Sequence, residues 1–258
     1  MYLSPPIELH LKKLSSIGDP FQYFMQLKGE CFRQQEGRLT QRVVLEGQPY
    51  FIKQHRGLGW REILKNFLQG KFPILGAQNE WRAIQRLQEL AIPTPKLAAF
   101  GARGINPAQQ ESFVLMEELH PTISLEDYCR SWKTQPPAFS EKLSLIHKVA
   151  HIAQTLHRHG LNHRDFYLCH FLLHKSSQDL YLIDLHRAGI HRHLRTRWII
   201  KDLAGLYFSS MDLGLSQKDL LRFIRLYVGG SLRDTLQNEK NFWSRVKQRG
   251  EKLYASGA

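Results

Sequence analysis

Hydrophobic positions along this chain change rhythm near residue 118. Before that point the apolar residues sit mostly in short strand-like runs. Residues 29–54 read as β: 42–45 and 49–54 (PYFIKQ) form two strands joined by the turn Glu46-Gly47-Gln48. Trp60, Ile63, Leu64, Phe67 and Leu68 then keep helical spacing, with Gly70 as the stop. A second helix, about 79–90, puts Trp81, Ile84 and Leu87 on one face until Pro93 and Pro95 bar its continuation. Residues 113–118 (FVLMEE) are an apolar strand that turns acidic.

Beyond 118 the spacing is helical. Ser124 with Asp127 three residues on predicts a capped short helix, and Pro136-Pro137 a break. Residues 141–158 are amphipathic, with Leu143, Ile146, Ala150, Ala153 and Leu156 inward and Gly160 as the stop. Two short strands, 171–173 and 180–183, flank the polar link 175–179. Helices resume at about 201–212, at 216–228 (Ser216 as cap, Asp219 three on) and at 231–250. The pattern predicts an α+β protein of two lobes, a β-rich 1–118 and a mostly helical 119–258. Clefts between such lobes are where ligands sit.

Composition narrows the functions. The 258 residues suffice for one large domain or two small lobes. Lys plus Arg is 36 against 23 Asp plus Glu, a net charge of +13 that favours acidic partners. The charge is spread evenly, with no polybasic tail, zinc-finger spacing or RNP-like motif, so nucleic acid is not expected as the partner. No apolar window is long enough for a transmembrane helix, and the first residues do not read as a secretory signal. Three scattered cysteines without CxxC spacing fit a reducing compartment, the cytoplasm. The many histidines lack HExxH, which argues against a zinc site.

The stretch LNHRDFYLCHFLL, 161–173, carries the chemistry. It joins the end of a buried helix to a hairpin that finishes in Ile183-Asp184-Leu185-His186, so Asp165 and Asp184 should lie at the same end of that hairpin. Phosphoryl transfer needs one carboxylate to orient or deprotonate a hydroxyl and another to hold Mg²⁺ on the nucleotide phosphates. It also needs a cation on those phosphates, held by an acid. Lys53, at the end of a strand, and Glu80, at the start of a helix, supply that pair.

The order Lys53, Glu80, His163-Arg164-Asp165, Asp184 resembles the protein-kinase signature set. LGA at 75–77, EW at 80–81, PTISLEDY at 121–128, NHRD at 162–165, CHFLLH at 169–174, IDLHRA at 183–188 and KDLAGLYFSS at 201–210 resemble the lipopolysaccharide core heptose(I) kinases, the WaaP/RfaP family. The resemblance covers roughly residues 20–250. It implies a protein-kinase-like fold and an enzyme using ATP and Mg²⁺ to phosphorylate the first inner-core heptose, cytoplasmic and peripheral on the inner membrane. In that frame Asp165 is the catalytic Asp and Asp184-Leu185-His186 stands for Asp-Phe-Gly. Met116-Glu117-Glu118 is the adenine-holding hinge, and Asp202 braces the catalytic loop.

Two positions depart from the kinase pattern. His170 stands where an Asn ligand is expected, and a neutral imidazole is a poor ligand for Mg²⁺. No GxGxxG precedes Lys53; Gln34-Gln35-Glu36-Gly37-Arg38 occupies its place, with Arg38 supplying charge to the phosphates. The basic run Arg187, Arg192, Arg195, Arg197 and Lys201 reads either as a solvated face or as the acceptor side, where sugar carboxylates and phosphates are held. The expected partners are the acidic inner core of lipopolysaccharide, an anionic membrane surface and an acidic protein. Two rivals share these residues: a protein or other sugar kinase of the same fold, and a catalytically weak nucleotide-binding scaffold.

Overall fold

Strand alternation decides how the first part is built. In the computed structural model, which describes residues 1–14, 18–35, 37–57, 59–68, 76–106 and 108–257, the chain divides into two compact units. The first comprises residues 1–86 and 94–119, the second residues 87–93 and 120–258.

In the first unit β1 (Tyr2–Leu3), α1 (Pro5–Lys13) and α2 (Pro20–Gln26) precede β2 (Glu30–Gln35), β3 (Arg38–Leu45) and β4 (Gln48–His55). Helix α3 (Gly59–Leu68), helix α4 (Gln78–Glu89), β5 (Leu97–Arg103) and β6 (Glu111–Glu117) follow. The strands form one antiparallel sheet in the order β1-β5-β6-β4-β3-β2. Glu46 and Gly47 both take positive φ, so the β3–β4 hairpin closes on two residues rather than the three the turn signal suggested.

Register assigns the two faces. Ile52, Leu115 and Ala99 lie in line across the sheet and pack with Ile7 of α1 and with Phe21, Phe24 and Met25 of α2. Lys53, Val114 and Phe100 lie in line on the opposite face. There Trp81 of α4 stacks on Phe100 at 4.5 Å between ring centroids. α1, α2 and β5 were not legible in the hydrophobic pattern. The helices are short and begin at prolines, and LAAFGAR carries too little bulk to signal a strand. Glu36, Gly70 and Leu75 lie outside the described residues.

In the second unit β7 (Thr122–Ser124), α5 (Leu125–Cys129), α6 (Phe139–Arg158) and β8 (Leu161–Asn162) lead to β9 (Phe171–His174), β10 (Leu180–Leu182) and β11 (Gly189–Ile190). Then come α7 (Thr196–Ser210), α8 (Gln217–Val228), α9 (Leu232–Asn238) and α10 (Lys240–Ala255). β10, β9 and β7 form a small sheet, and β11 pairs with β8.

Ser124 caps α5 as its spacing predicts: its hydroxyl accepts from the Asp127 N–H at 3.0 Å. Ser216 and Asp219 form a full capping box on α8. Leu145, Ile146, Val149, Ala150, Ile152, Ala153 and Leu156 make the buried stripe of α6; Leu143 is only half-buried. Gly160 follows that helix with φ 77°, and a Cβ there would sit 2.1 Å from the His191 carbonyl oxygen. α7 begins at Thr196, ahead of the expected 201, and the expected helix 231–250 is two, parted at Glu239. Ile200, Leu203 and Ala204 of α7 pack on Val246 of α10 with Phe223, Tyr227, Phe242 and Trp243 around them.

Candidate active site

The loop between β8 and β9 is fixed from below by one carboxylate. Asp202 of α7 is fully buried, and its two oxygens accept the backbone N–H groups of His163 at 2.6 Å and Arg164 at 2.8 Å. That pair of bonds holds Arg164 at φ 72°, a conformation costing a non-glycine residue about 1 kcal/mol or more. His157 lies 3.5 Å from the same carboxylate and shares a hydrogen bond with the Tyr227 hydroxyl, whose pKa burial pushes up.

Aromatic packing explains why so polar a loop is also apolar. Phe166 is 1% exposed, with its ring against those of His157, His163 and Phe171. Leu168 is buried too. The two apolar side chains anchor the loop and leave the Asp165 carboxylate toward the surface, its side chain 17% exposed. The His163 Nε2 donates to the Ile183 carbonyl at 2.8 Å, tying the loop to the segment that ends in Asp184. Burial holds the His163 imidazole below its ordinary pKa, so it is neutral near pH 7.

His170 links the backbone of Asp165 to the carboxylate of Asp184. Its Nδ1 lies 2.7 Å from the Asp165 carbonyl oxygen, which can only accept, so Nδ1 carries the hydrogen. Its Nε2 lies 3.5 Å from Asp184 Oδ2. That nitrogen faces the carboxylate oxygen directly, so the two can share one ligand. The other Asp184 oxygen accepts from His186 Nδ1 at 2.6 Å. Asp184 itself is left-handed, φ 60° and ψ 51°, at the start of a single 3₁₀ turn that brings Arg187 back to the loop. Arg187 Nη1 donates to both oxygens of Asp165, at 2.9 and 3.2 Å.

The first unit holds the other predicted residues. Lys53 Nζ lies 2.6 Å from Glu80 Oε1, and Glu80 is buried. Its second oxygen, Oε2, has no hydrogen-bond partner among the described residues. Met116 is buried in β6. The Glu117 N–H donates to the Lys96 carbonyl and that of Glu118 to the Pro49 carbonyl, while the Glu118 carboxylate accepts from Arg42 at 2.9 Å. Arg38 opens β3, in register with Gln35 and His55.

The sequence reading thus named Asp165, Asp184 and His170 together, and the fold brings these three into one network; Lys53 and Glu80 meet as an ion pair. His186 on Asp184 was not foreseen, although a carboxylate two residues before a histidine was a readable signal. The basic run that reads either as a solvated face or as the acceptor side includes Arg187, and the structure places that residue on Asp165. No cluster of three or more His, Cys, Asp or Glu suited to a metal occurs among the described residues. Asp184 can offer Mg²⁺ a carboxylate oxygen, and that ion keeps several waters and phosphate oxygens. His170 offers nitrogen, which fits Mg²⁺ poorly.

Comparison with known proteins decides the family. Residues 22–227 match the lipopolysaccharide kinase (Kdo/WaaP) family. The chain belongs to that family. It is 45% identical over 254 residues to the lipopolysaccharide core heptose(I) kinase WaaP of Pseudomonas aeruginosa, covering 96% of this chain and 95% of the relative. To the protein of the same name from Escherichia coli K12 it is 44% identical over 241 residues, 91% of each. A solved WaaP in complex with acyl carrier protein shares 40% of residues, with TM-score 0.83 and 98% of both chains covered. The fold is therefore that of the Kdo/WaaP kinases, the protein-kinase-like α+β architecture that the resemblance of the motifs implied.

Proposed function

We propose that this chain is a lipopolysaccharide core heptose(I) kinase, moving the γ-phosphoryl group of ATP to a hydroxyl of the first inner-core heptose. The observation that carries the reading is the Asp165–His170–Asp184 network, set in a chain 44–45% identical to relatives of that name.

In this reading the Asp165 carboxylate accepts the proton of the attacking heptose hydroxyl. The hydroxyl oxygen forms its bond to the γ-phosphorus as the bond from that phosphorus to the β–γ bridging oxygen breaks, and ADP leaves with the electron pair. Lys53, aimed by Glu80, binds the α- and β-phosphates, and Arg38 adds charge there. Met116, Glu117 and Glu118 border the adenine. For Glu117 and Glu118 that contact falls to groups other than the backbone N–H, because both are already bonded within the unit. Asp184 is the residue that would hold Mg²⁺, with His170 beside it. When bound, the ion supplies charge neutralisation at the nucleotide phosphates. The residues' own work is positioning and electrostatic stabilisation, done by a loop whose backbone is fixed before the reactants arrive.

The net charge of +13 supports a cytoplasmic enzyme working against an anionic membrane face and an acidic glycolipid. No helix among the described residues is long and apolar enough to cross a membrane. An acidic protein partner is part of the proposal, since a relative was solved with acyl carrier protein. A cavity of about 490 Å³ in the second unit, lined by Leu125, Trp132, Ile146, Val149, Leu206 and Leu220 among others, has the volume and apolar walls that an aliphatic chain requires.

The test is phosphate transfer from labelled ATP with Mg²⁺ to lipopolysaccharide lacking core heptose phosphate, wild type beside Asp165→Asn. Label in heptose that disappears in the variant is the expected result. Folded protein that binds ATP and labels no heptose would transfer the case to protein substrates or to the scaffold reading.

A further inference from the structure

Arg187 sits where a third positively charged group is costly unless it has work to do. Its guanidinium covers both oxygens of Asp165 through Nη1, and its side chain is 45% exposed while that of Asp165 is 17% exposed. Arg164 and Lys201 lie close enough that Arg187 repels both. Burial first, and then the Arg187 charge, hold each below its ordinary pKa. Lys201 forms no ion pair with a described residue. The opposing carboxylates are Asp165 and Asp202, and Asp202 is already spent on two backbone N–H groups. Three cations against two carboxylates leave a positive surplus at the mouth of Asp165, and one of the three, Arg187, is nearly half in solvent.

We propose that Arg187 is the acceptor-sensing residue of this site: it holds Asp165 while no acceptor is bound, and an oxyanion of the acceptor, carboxylate or phosphate, draws the guanidinium away and frees Asp165 for the hydroxyl. The proposal rests on Asp165 being the residue that receives the hydroxyl proton. It gives the enzyme a reason not to spend ATP on water. An uncovered Asp165 can accept a hydrogen bond from water as readily as from a sugar, whereas with both oxygens engaged by the guanidinium it is closed to either. A charge-assisted hydrogen bond of Arg187 to the acceptor then replaces the one given up to Asp165.

The experiment compares wild type, Arg187→Ala and Arg187→Lys, each checked for unchanged melting temperature. ATP hydrolysis is followed without acceptor. Transfer is followed with a heptose-terminated lipopolysaccharide acceptor left intact, methyl-esterified at its carboxylates, or stripped of phosphate. For Arg187→Ala, hydrolysis without acceptor should rise about tenfold, and KM for the intact acceptor should rise about tenfold or more with kcat much less affected. Arg187→Lys should restore part of the KM. In wild type, whichever treatment removes the recognised oxyanion should raise KM, and the same treatment should leave Arg187→Ala unmoved. Hydrolysis that stays level or falls in Arg187→Ala, or a KM change equal for all three acceptors, overturns the proposal. Wild type that transfers to none of the acceptors overturns the kinase reading beneath it, a distinct result.

Discussion

Lys53 and Glu80, 27 residues apart in the chain, meet at 2.6 Å, with 16% and 2% of their side chains exposed. Removing the lysine leaves a buried carboxylate without its counter-charge. Lys53→Met should cost about 3–5 kcal/mol of unfolding free energy in urea melts. Adding Glu80→Gln should recover part of that loss, because the charge that was stranded is then gone. Both variants should be nearly inactive, so stability and activity part company in the double variant. A double variant as unstable as Lys53→Met alone would show that the pair is not coupled.

Asp165→Asn should lower heptose phosphorylation by about 10²–10⁴-fold, the range of a lost general base. The side chain stands at the surface and the loop is held by Asp202, Phe166 and Leu168, so the melting temperature should stay within a few degrees of wild type. A variant retaining more than a tenth of the rate would remove Asp165 from the proton's path.

Asp202 acts through the loop rather than on substrate. Asp202→Ala strands the N–H groups of His163 and Arg164, each about 1–3 kcal/mol when buried and unpaired. Stability should fall accordingly, and kcat should fall while KM for ATP changes little, because Lys53 and Glu80 are untouched. An Asp202→Asn variant keeps one acceptor oxygen and should lie between. Equal kcat in all three proteins would show that the loop needs no brace.

Asp219 sets an acid limit on the second unit. Burial alone would raise its carboxyl, but hydrogen bonds from Lys142 and Ser216 outweigh this and bring it down to about 2. A carboxyl depressed in the folded state stabilises above the unfolded value, near 4, and loses that contribution as pH falls toward 2. Wild type should therefore exceed Asp219→Asn by about 2 kcal/mol at pH 7, with the difference fading between pH 4 and pH 2. Urea melts at several pH values measure it; a constant difference would assign the effect to packing.

Much of the site was legible because its residues fall within short stretches. Asp165 and His170 share one loop and Asp184 follows one hairpin later, so local spacing nearly fixes their meeting. The caps at Ser124 and Ser216 were legible for the same reason: a capping hydroxyl and its N–H are three residues apart. The core stripe of α6 was legible through Ile146, Ala150, Ala153 and Leu156, all buried, while Leu143 near the helix start is only half-buried.

The sequence by itself determined the helical and strand segments with strong periodicity, the caps, and the closeness of Asp165, His170 and Asp184 along the chain, because each is written in neighbouring residues. Tertiary structure decided the geometry. It set Asp202 under residues 39 and 38 positions earlier in the chain, laid Lys53 and Glu80 on the sheet face shared with Phe100, and turned Arg187 from a member of a basic run into the cover of Asp165. Those contacts join distant parts of the chain across directions that only register, twist and packing define: the sequence could pair Lys53 with Glu80 and name Asp202 as a brace, but it gave neither geometry and left Arg187 in a basic run.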